Sequence, residues 1–212
     1  EIAGSNLKLW LDAADSSTLF SDDNFNTSAT TNVGGWKDKS GNGNHATQAT
    51  STNQPVLTSS GLQFDGSNDG LTLTNDISET NLNVFFVVKG HGFLYSNKGT
   101  ERTLFYNHNS GRNLWWRING TEFFSNTAVA GYSDAATQLL EFSLNSGTAT
   151  VRVNGIQALS QNSVTGNFKI DRIGLIFDGN TGVSTWSGDM MEIVALSSTE
   201  NRQKIEGYLA QK

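Results

Sequence analysis

The stretch Leu139-Leu140-Glu141-Phe142-Ser143-Leu144-Asn145-Ser146-Gly147-Thr148-Ala149-Thr150-Val151-Arg152-Val153-Asn154-Gly155 decides the fold class. Two short runs rich in apolar and β-branched residues, Leu139–Leu144 and Thr148–Val153, flank a polar break and end on Asn-Gly. Such runs suit a pleated surface. Asn154-Gly155 tolerates positive φ at both central positions of a type I′ turn, so the chain is expected to double back there as a hairpin. Asn119-Gly120 carries the same signal between two further strand-like runs. Working outward, strands are predicted at Leu7–Leu11, Leu62–Asp65, Leu71–Thr74, Val84–Lys89, Arg102–Tyr106, Leu114–Ile118, Phe168–Ile176 and Met190–Leu196. Gly-, Asn-, Ser- and Asp-rich stretches separate them. Many short strands with regular turn signals read as an all-β sandwich or jelly roll.

One helix is predicted, at the end of the chain. Ser197 offers an N-cap and Glu200 completes a capping box. Ile205, Tyr208 and Leu209 then share a helical face, expected to pack against the sandwich edge. Phe20 to Ser60 is long, polar and poor in strand signals, with Trp36 as its expected anchor; long loops of this kind are usually functional or disordered. There is no internal repeat and no domain boundary, so residues 1–212 read as one domain.

Composition narrows the function. Of 212 residues, 36% are hydrophobic and only 16% charged, and the 22 glycines against one proline fit tight turns rather than disorder. Without cysteine there is no disulfide framework, thiol nucleophile or thiolate metal site. The longest apolar run, Val84–Val88, is too short to insert in a bilayer. A net charge of −6 with no basic stripe speaks against nucleic acid as a partner. The chain begins at Glu1 with no signal peptide, which reads as a processed or excised domain.

Sugar recognition uses aromatic faces, with amide, carboxylate and guanidinium groups fixing the hydroxyls. The densest such run is Tyr106-Asn107-His108-Asn109-Ser110-Gly111-Arg112-Asn113-Leu114-Trp115-Trp116-Arg117. It reads as strand, polar hairpin, strand. Alternation puts Trp115 and Arg117 on one face and Leu114, Trp116 and Ile118 on the other, which is core. Trp115 has two open readings, a core residue of a sheet or part of a binding platform. Trp186, in the polar segment Asn180–Gly188, is expected to flank the same surface. The ligand-binding candidates are therefore Tyr106, Asn107, His108, Arg112, Trp115, Arg117 and Trp186. Trp10, Phe85, Phe105, Phe123, Phe142 and Phe168 are assigned to the core.

Four ordered motifs go further. They are Leu9-Trp10-Leu11-Asp12-Ala13-Ala14-Asp15; Trp36-Lys37-Asp38-Lys39-Ser40-Gly41-Asn42-Gly43-Asn44-His45-Ala46; Leu62-Gln63-Phe64-Asp65-Gly66-Ser67-Asn68-Asp69; and Gly188-Asp189-Met190-Met191-Glu192-Ile193-Val194 with Glu206-Gly207-Tyr208-Leu209. Together they resemble the concanavalin A-like lectin/glucanase superfamily, in its laminin-G-like jelly-roll branch, over Leu7 to Leu209. The resemblance implies an antiparallel sandwich of two curved sheets. It also implies a sugar- or protein-binding module, of the kind appended to secreted hydrolases, adhesins or phage tail proteins and often carrying calcium. The chain departs from the pattern in being shorter between Glu192 and Ser197.

Enzymes of this fold place two or three carboxylates on one face of a strand, because retaining glycoside hydrolysis needs two carboxyl groups about 5 Å apart. Glu192 has no second acid at +2 or +4, and no Gly-x-Ser-x-Gly elbow occurs, so no catalytic residue is assigned. Of the three histidines, His91 in Gly90-His91-Gly92 reads as a solvated turn residue. Asp38-x-Ser40-x-Asn42-Gly43 and Asp65-x-Ser67-x-Asp69-Gly70 read either as calcium loops or as Asx turns. Alternation puts Glu192 on a face with Met190 and Val194, where a carboxylate needs a metal or hydrogen-bonding partners. The family pattern brings the acid of this last strand near the first strand and the Asp38 loop. It therefore implies a calcium set of Asp12, Asp38 and Glu192. The expected whole is a non-catalytic, lectin-like glycan-binding module of a secreted, cell-surface or virion-associated protein. A structural or adhesive domain and a glycoside hydrolase are the alternatives.

Overall fold

Antiparallel strand pairs build the fold. The computed structural model describes residues 6–96, 102–108, 111–119, 121–125, 129–177, 183–198 and 202–211. Its strands are β1 (Leu7–Asp12), β2 (Leu19–Phe20), β3 (Gly35–Trp36), β4 (Ala46–Thr47), β5 (Val56–Thr58), β6 (Gly61–Asp65), β7 (Leu71–Glu79), β8 (Leu82–Ser96), β9 (Arg102–His108), β10 (Gly111–Ile118), β11 (Thr121–Phe124), β12 (Gln138–Asn145), β13 (Thr148–Val153), β14 (Ile156–Gln161), β15 (Phe168–Ile173), β16 (Leu175–Phe177) and β17 (Val183–Leu196). Helix α1 (Arg202–Leu209) follows. The result is an all-β sandwich with a short C-terminal helix.

One layer runs β14-β13-β12-β8-β17-β1. The other runs β11-β10-β9-β8-β15-β7-β4-β3-β2. The long strands β8 and β17 belong to both regions. Their middles pair with each other, while β6 flanks β17 on its other side. Gly90 and Gly188 make this close passage. A Cβ on Gly90 would meet the Ser187 carbonyl oxygen at 2.1 Å, and one on Gly188 would meet that of Lys89 at 2.1 Å.

The two layers close on an interlocked aromatic core. Phe86 and Phe142 come from the first layer, and Tyr95, Trp116 and Phe168 from the second. Phe86 stacks on Tyr95 at 5.3 Å, and Trp116 meets Phe142 and Phe168 edge-on at 5.5 and 5.4 Å. A smaller apolar cluster lies outside the first layer. There α1 covers Phe85, Val87, Leu139 and Val194 with Ile205 and Leu209.

The hairpins form at the Asn-Gly signals. Asn154 and Gly155 have φ of 50° and 79°, and Asn119 has φ 47°. The predicted strand Phe168–Ile176 is broken at Gly174, whose backbone abuts the Phe64 ring. The stretch from Phe20 to Ser60 is laddered rather than looped: β2 to β5 lie in or beside it, and Trp36 is buried in the core. Ser197 does not cap the helix, because α1 starts at Arg202; its hydroxyl instead faces the Asn6 carbonyl. Glu200 lies outside the described residues. The helix packs on the outer face of the sheet, not its edge, because the outward residues of β8, β12 and β17 are apolar there. Trp10 and Phe85 are likewise on this outer, helix-covered side rather than in the main core.

Candidate functional site

The strands β9, β10 and β11 form a meander whose register sorts its residues by face. Leu114, Trp116 and Ile118 are buried on one face of β10, and positions 115 and 117 fall in the opposite register phase. Trp115 stands opposite Leu104 on β9 and opposite Phe124 on β11, and Leu104 stands opposite Phe93 on β8. Phe93, Leu104, Trp115 and Phe124 thus form one row across four strands. Phe124 is 56% exposed, the mark of an outward aromatic position. Polar positions border the row. Arg117 pairs with Glu122 across the ladder at 4.0 Å on one side, and Tyr106 stands opposite Asn113 on the other. His108, opposite Gly111, continues that face.

Not every sequence candidate joins this row. Asn107 stands opposite Arg112, in phase with Leu114 and Trp116, so these two occupy the inner-face register positions of the ladder. Asn109 and Ser110 lie outside the described residues. Trp186 is 0% exposed, in the core on β17, and does not flank the surface. Its segment reads as polar loop in sequence but is drawn into strand pairing with β8 and β16. Phe124 is the residue that sequence reading missed; once Phe123 is core, alternation alone puts Phe124 outside.

A polar depression of about 390 Å³ adjoins the row along β8. Gln63, Asp189 and Lys89 stand side by side on β6, β17 and β8, with Ser187 and His91 in the next rank and Asp134 on the rim. His91 and Phe93 share a face of β8 by alternation, so the depression and the row are continuous. The signal for it was the pair Gly90-His91-Gly92 and Gly188-Asp189, whose glycines let two backbones pass and leave the polar residues outside.

The carboxylates expected to hold calcium are already engaged. Asp38 accepts from Trp10 N and Ser40 N at 2.9 Å each through Oδ1, and from the Ser40 hydroxyl at 2.7 Å and Asn44 N at 3.0 Å through Oδ2. Asp12 accepts from Ala14 N and pairs with Lys39 at 3.3 Å. Glu192, 0% exposed, accepts from Trp10 Nε1 and the Tyr208 hydroxyl, both at 2.8 Å. Among the described residues no group of three or more His, Asp or Glu could hold a metal ion. N–H donors and a lysine ammonium are partners for anions and repel a cation, so Asp12, Asp38 and Glu192 do not fit calcium. Alternation also fails at Glu192. Met191 bulges out of the β17–β8 ladder, so Met190 enters the main core while Glu192 turns to the helix-covered side with Val194.

The Asp38 loop has a different task. Among the described residues β1 pairs only with β17, and the loop covers its other edge. Lys39 N donates to Trp10 O, Asn42 Nδ2 to Leu7 O and Asn44 Nδ2 to Lys8 O. Free strand edges invite pairing with other chains, and this one is filled by side-chain amides.

The second Asx loop titrates. Asp65 accepts from Ser67 N and Asn68 N, and Asp69 accepts from Asp65 N. Burial, helped by the nearby Asp65 charge, pushes the Asp69 carboxyl up to about 6 from its ordinary 3.8. The folded chain therefore holds this proton more tightly than the unfolded one, and the stability it contributes falls as pH rises from about 4 through about 6. Asp69→Asn keeps an acceptor for Asp65 N. It is expected to match the parent near pH 4 and to exceed it above pH 7 by about 1 kcal/mol, allowing for solvent screening. Denaturant unfolding at both pH values checks this; an equal difference at both would refute it.

Comparison with known proteins places this geometry. No family model and no curated protein matches the chain. Solved structures do. Domain 4 of a GH43 extracellular arabinanase from Geobacillus stearothermophilus, in complex with arabinotriose, is 16% identical at a TM-score of 0.51, covering 90% of this chain and 92% of that one. A Trypanosoma rangeli sialidase in complex with sialic acid reaches 0.58 at 15% identity, over 99% of this chain and 34% of that one. The botulinum neurotoxin serotype D binding domain reaches 0.58 at 14%, over 97% and 51%. The likeness is one of fold. The chain spans about half of an arabinofuranosidase that it also matches, and about a third of the sialidase.

Proposed function

We propose that this domain is a non-catalytic, lectin-like carbohydrate-binding module of the concanavalin A-like, laminin-G-like type, carried by a secreted, cell-surface or virion-associated protein. The outward row Phe93-Leu104-Trp115-Phe124 carries the reading. It offers an apolar platform for the C–H faces of sugar rings, bordered by Arg117, Glu122, Tyr106 and Asn113 and continued by the His91 depression for hydroxyl groups. An arabinotriose complex of a domain of matching extent and fold supports the same class of partner. No helix among the described residues is long and apolar enough to cross a membrane. The hydrolase alternative loses its one candidate acid, since Glu192 is sealed beneath Trp10 and Tyr208. The binding reading uses no calcium.

A glycan array followed by calorimetry tests it. Phe124→Ala and Trp115→Ala are each expected to weaken binding about tenfold or more, as loss of a central aromatic contact does. Phe124 is exposed, so its variant should keep the parent melting temperature. Absence of binding across a broad array, or full binding in both variants, would overturn the reading.

A further inference from the structure

A cavity of about 660 Å³ lies between α1 and the outer face of the first layer, away from the aromatic row. Pockets for small ligands span roughly 300–1,000 Å³. Val87, Leu139 and Leu209, all buried, form an apolar floor. The rim carries Asn154, Gln203 and Glu206. Asn154 accepts from Leu139 N through its Oδ1, which leaves its amide N–H groups as donors at the rim. Glu206 is already neutralised by Arg202 at 2.6 Å, yet a carboxylate accepts several bonds. Among the described residues no cationic side chain lines the space.

Gly207 is the telling residue. It sits within the helix, where glycine is less favourable than alanine. Neither packing nor backbone asks for it: a Cβ there would meet no atom within 4 Å, and its φ is not positive. Gly207 lines the cavity, and a Cβ added there would stand in open space.

From these observations we infer that the groove under α1 is a second ligand site, built for a neutral pyranoside. An apolar floor matches the C–H face of a sugar ring, and amide donors beside a carboxylate acceptor match its hydroxyls. With no cation among the described lining residues, nothing there favours an anion. Val87 and His91 share a face of β8 four residues apart, about 13 Å, so the groove is separate from the polar depression yet on the same side of the molecule.

The test is a titration of the isotope-labelled chain with a panel of methyl pyranosides, followed by amide NMR. The expected result is shifts at Gly155, Gly207 and Ala210 that persist in Trp115→Ala and vanish in Gly207→Leu. Gly207→Ala, which only begins to fill the mouth, controls for helix integrity and should leave the fold intact. No shift at these amides with any member of the panel, or shifts that survive in Gly207→Leu, would overturn the site. Shifts confined to the β9–β11 meander would overturn it while leaving the proposed function standing.

Discussion

Asp38→Ala is expected to lower the stability of this domain by about 3–5 kcal/mol. Asp38 is buried and its carboxylate accepts four hydrogen bonds, three of them from backbone N–H groups. Removing a buried acceptor leaves each donor with a desolvation cost of about 1–3 kcal/mol, and neighbouring losses add incompletely. The sum is a large share of a typical stability of about 5–15 kcal/mol. For a chain of this size it corresponds to a melting temperature lower by roughly 6–20 °C. Loss of the loop also opens the edge of β1, so the variant should associate on heating where the parent does not. Asp38→Asn, which keeps one acceptor oxygen, should recover part of the loss. A melting temperature within a degree or two of the parent would show that the loop does not depend on this side chain. Calcium should not restore Asp38→Ala, because the residue organises the loop through N–H and O–H donors rather than through a cation.

Trp116→Ala is expected to cost a similar amount for a different reason. The indole joins Phe123, Phe142 and Phe168 at ring-centre distances of 6.2, 5.5 and 5.4 Å, where the two layers meet. Truncating a buried tryptophan removes its transfer free energy and leaves a cavity, typically about 3–5 kcal/mol together. The comparison with Trp116→Phe isolates the cause. The Trp116 Nε1 group is buried without a hydrogen-bond partner among the described residues, so phenylalanine sacrifices volume but no polar bond. It should cost well under half as much as alanine. Equal losses in the two variants, measured by denaturant unfolding, would point to a role for the N–H group instead.

Much of this architecture was legible from local pattern. Val84–Lys89 and Leu139–Leu144 read as strands because their apolar content has no other local explanation, and the Asn-Gly pairs fixed where the chain turns. The core reading of Leu114, Trp116 and Ile118 held because the strand is regular there. What failed were features set by tertiary contacts. Glu192 was grouped with Met190 as well as Val194, and the grouping with Met190 fails because a single extra residue, Met191, shifts the phase of β17, and a bulge leaves no local mark. Trp186 read as surface because its neighbours are polar, whereas pairing with β8 and β16 draws it into the core. The Asp38 loop carried two readings, ion site and Asx turn. Only the position of β1's free edge, a fact about distant residues, decides between them.

The passage of β8 past β17 at Gly90 and Gly188 has a consequence for how the molecule comes apart. Because the same two strands serve both layers, neither layer has a boundary along which it could detach as an independent unit. Hydrogen exchange should then find one slowest class of amides spanning both layers, released in a single global opening. A library of variants should find these two glycines intolerant even of alanine, whose methyl group would sit 2.1 Å from the opposite carbonyl oxygen. Variation of the proposed binding surface would thereby be decoupled from the joint: the residues of β8 between Lys89 and Phe93 that alternate with the glycines make no such close passage.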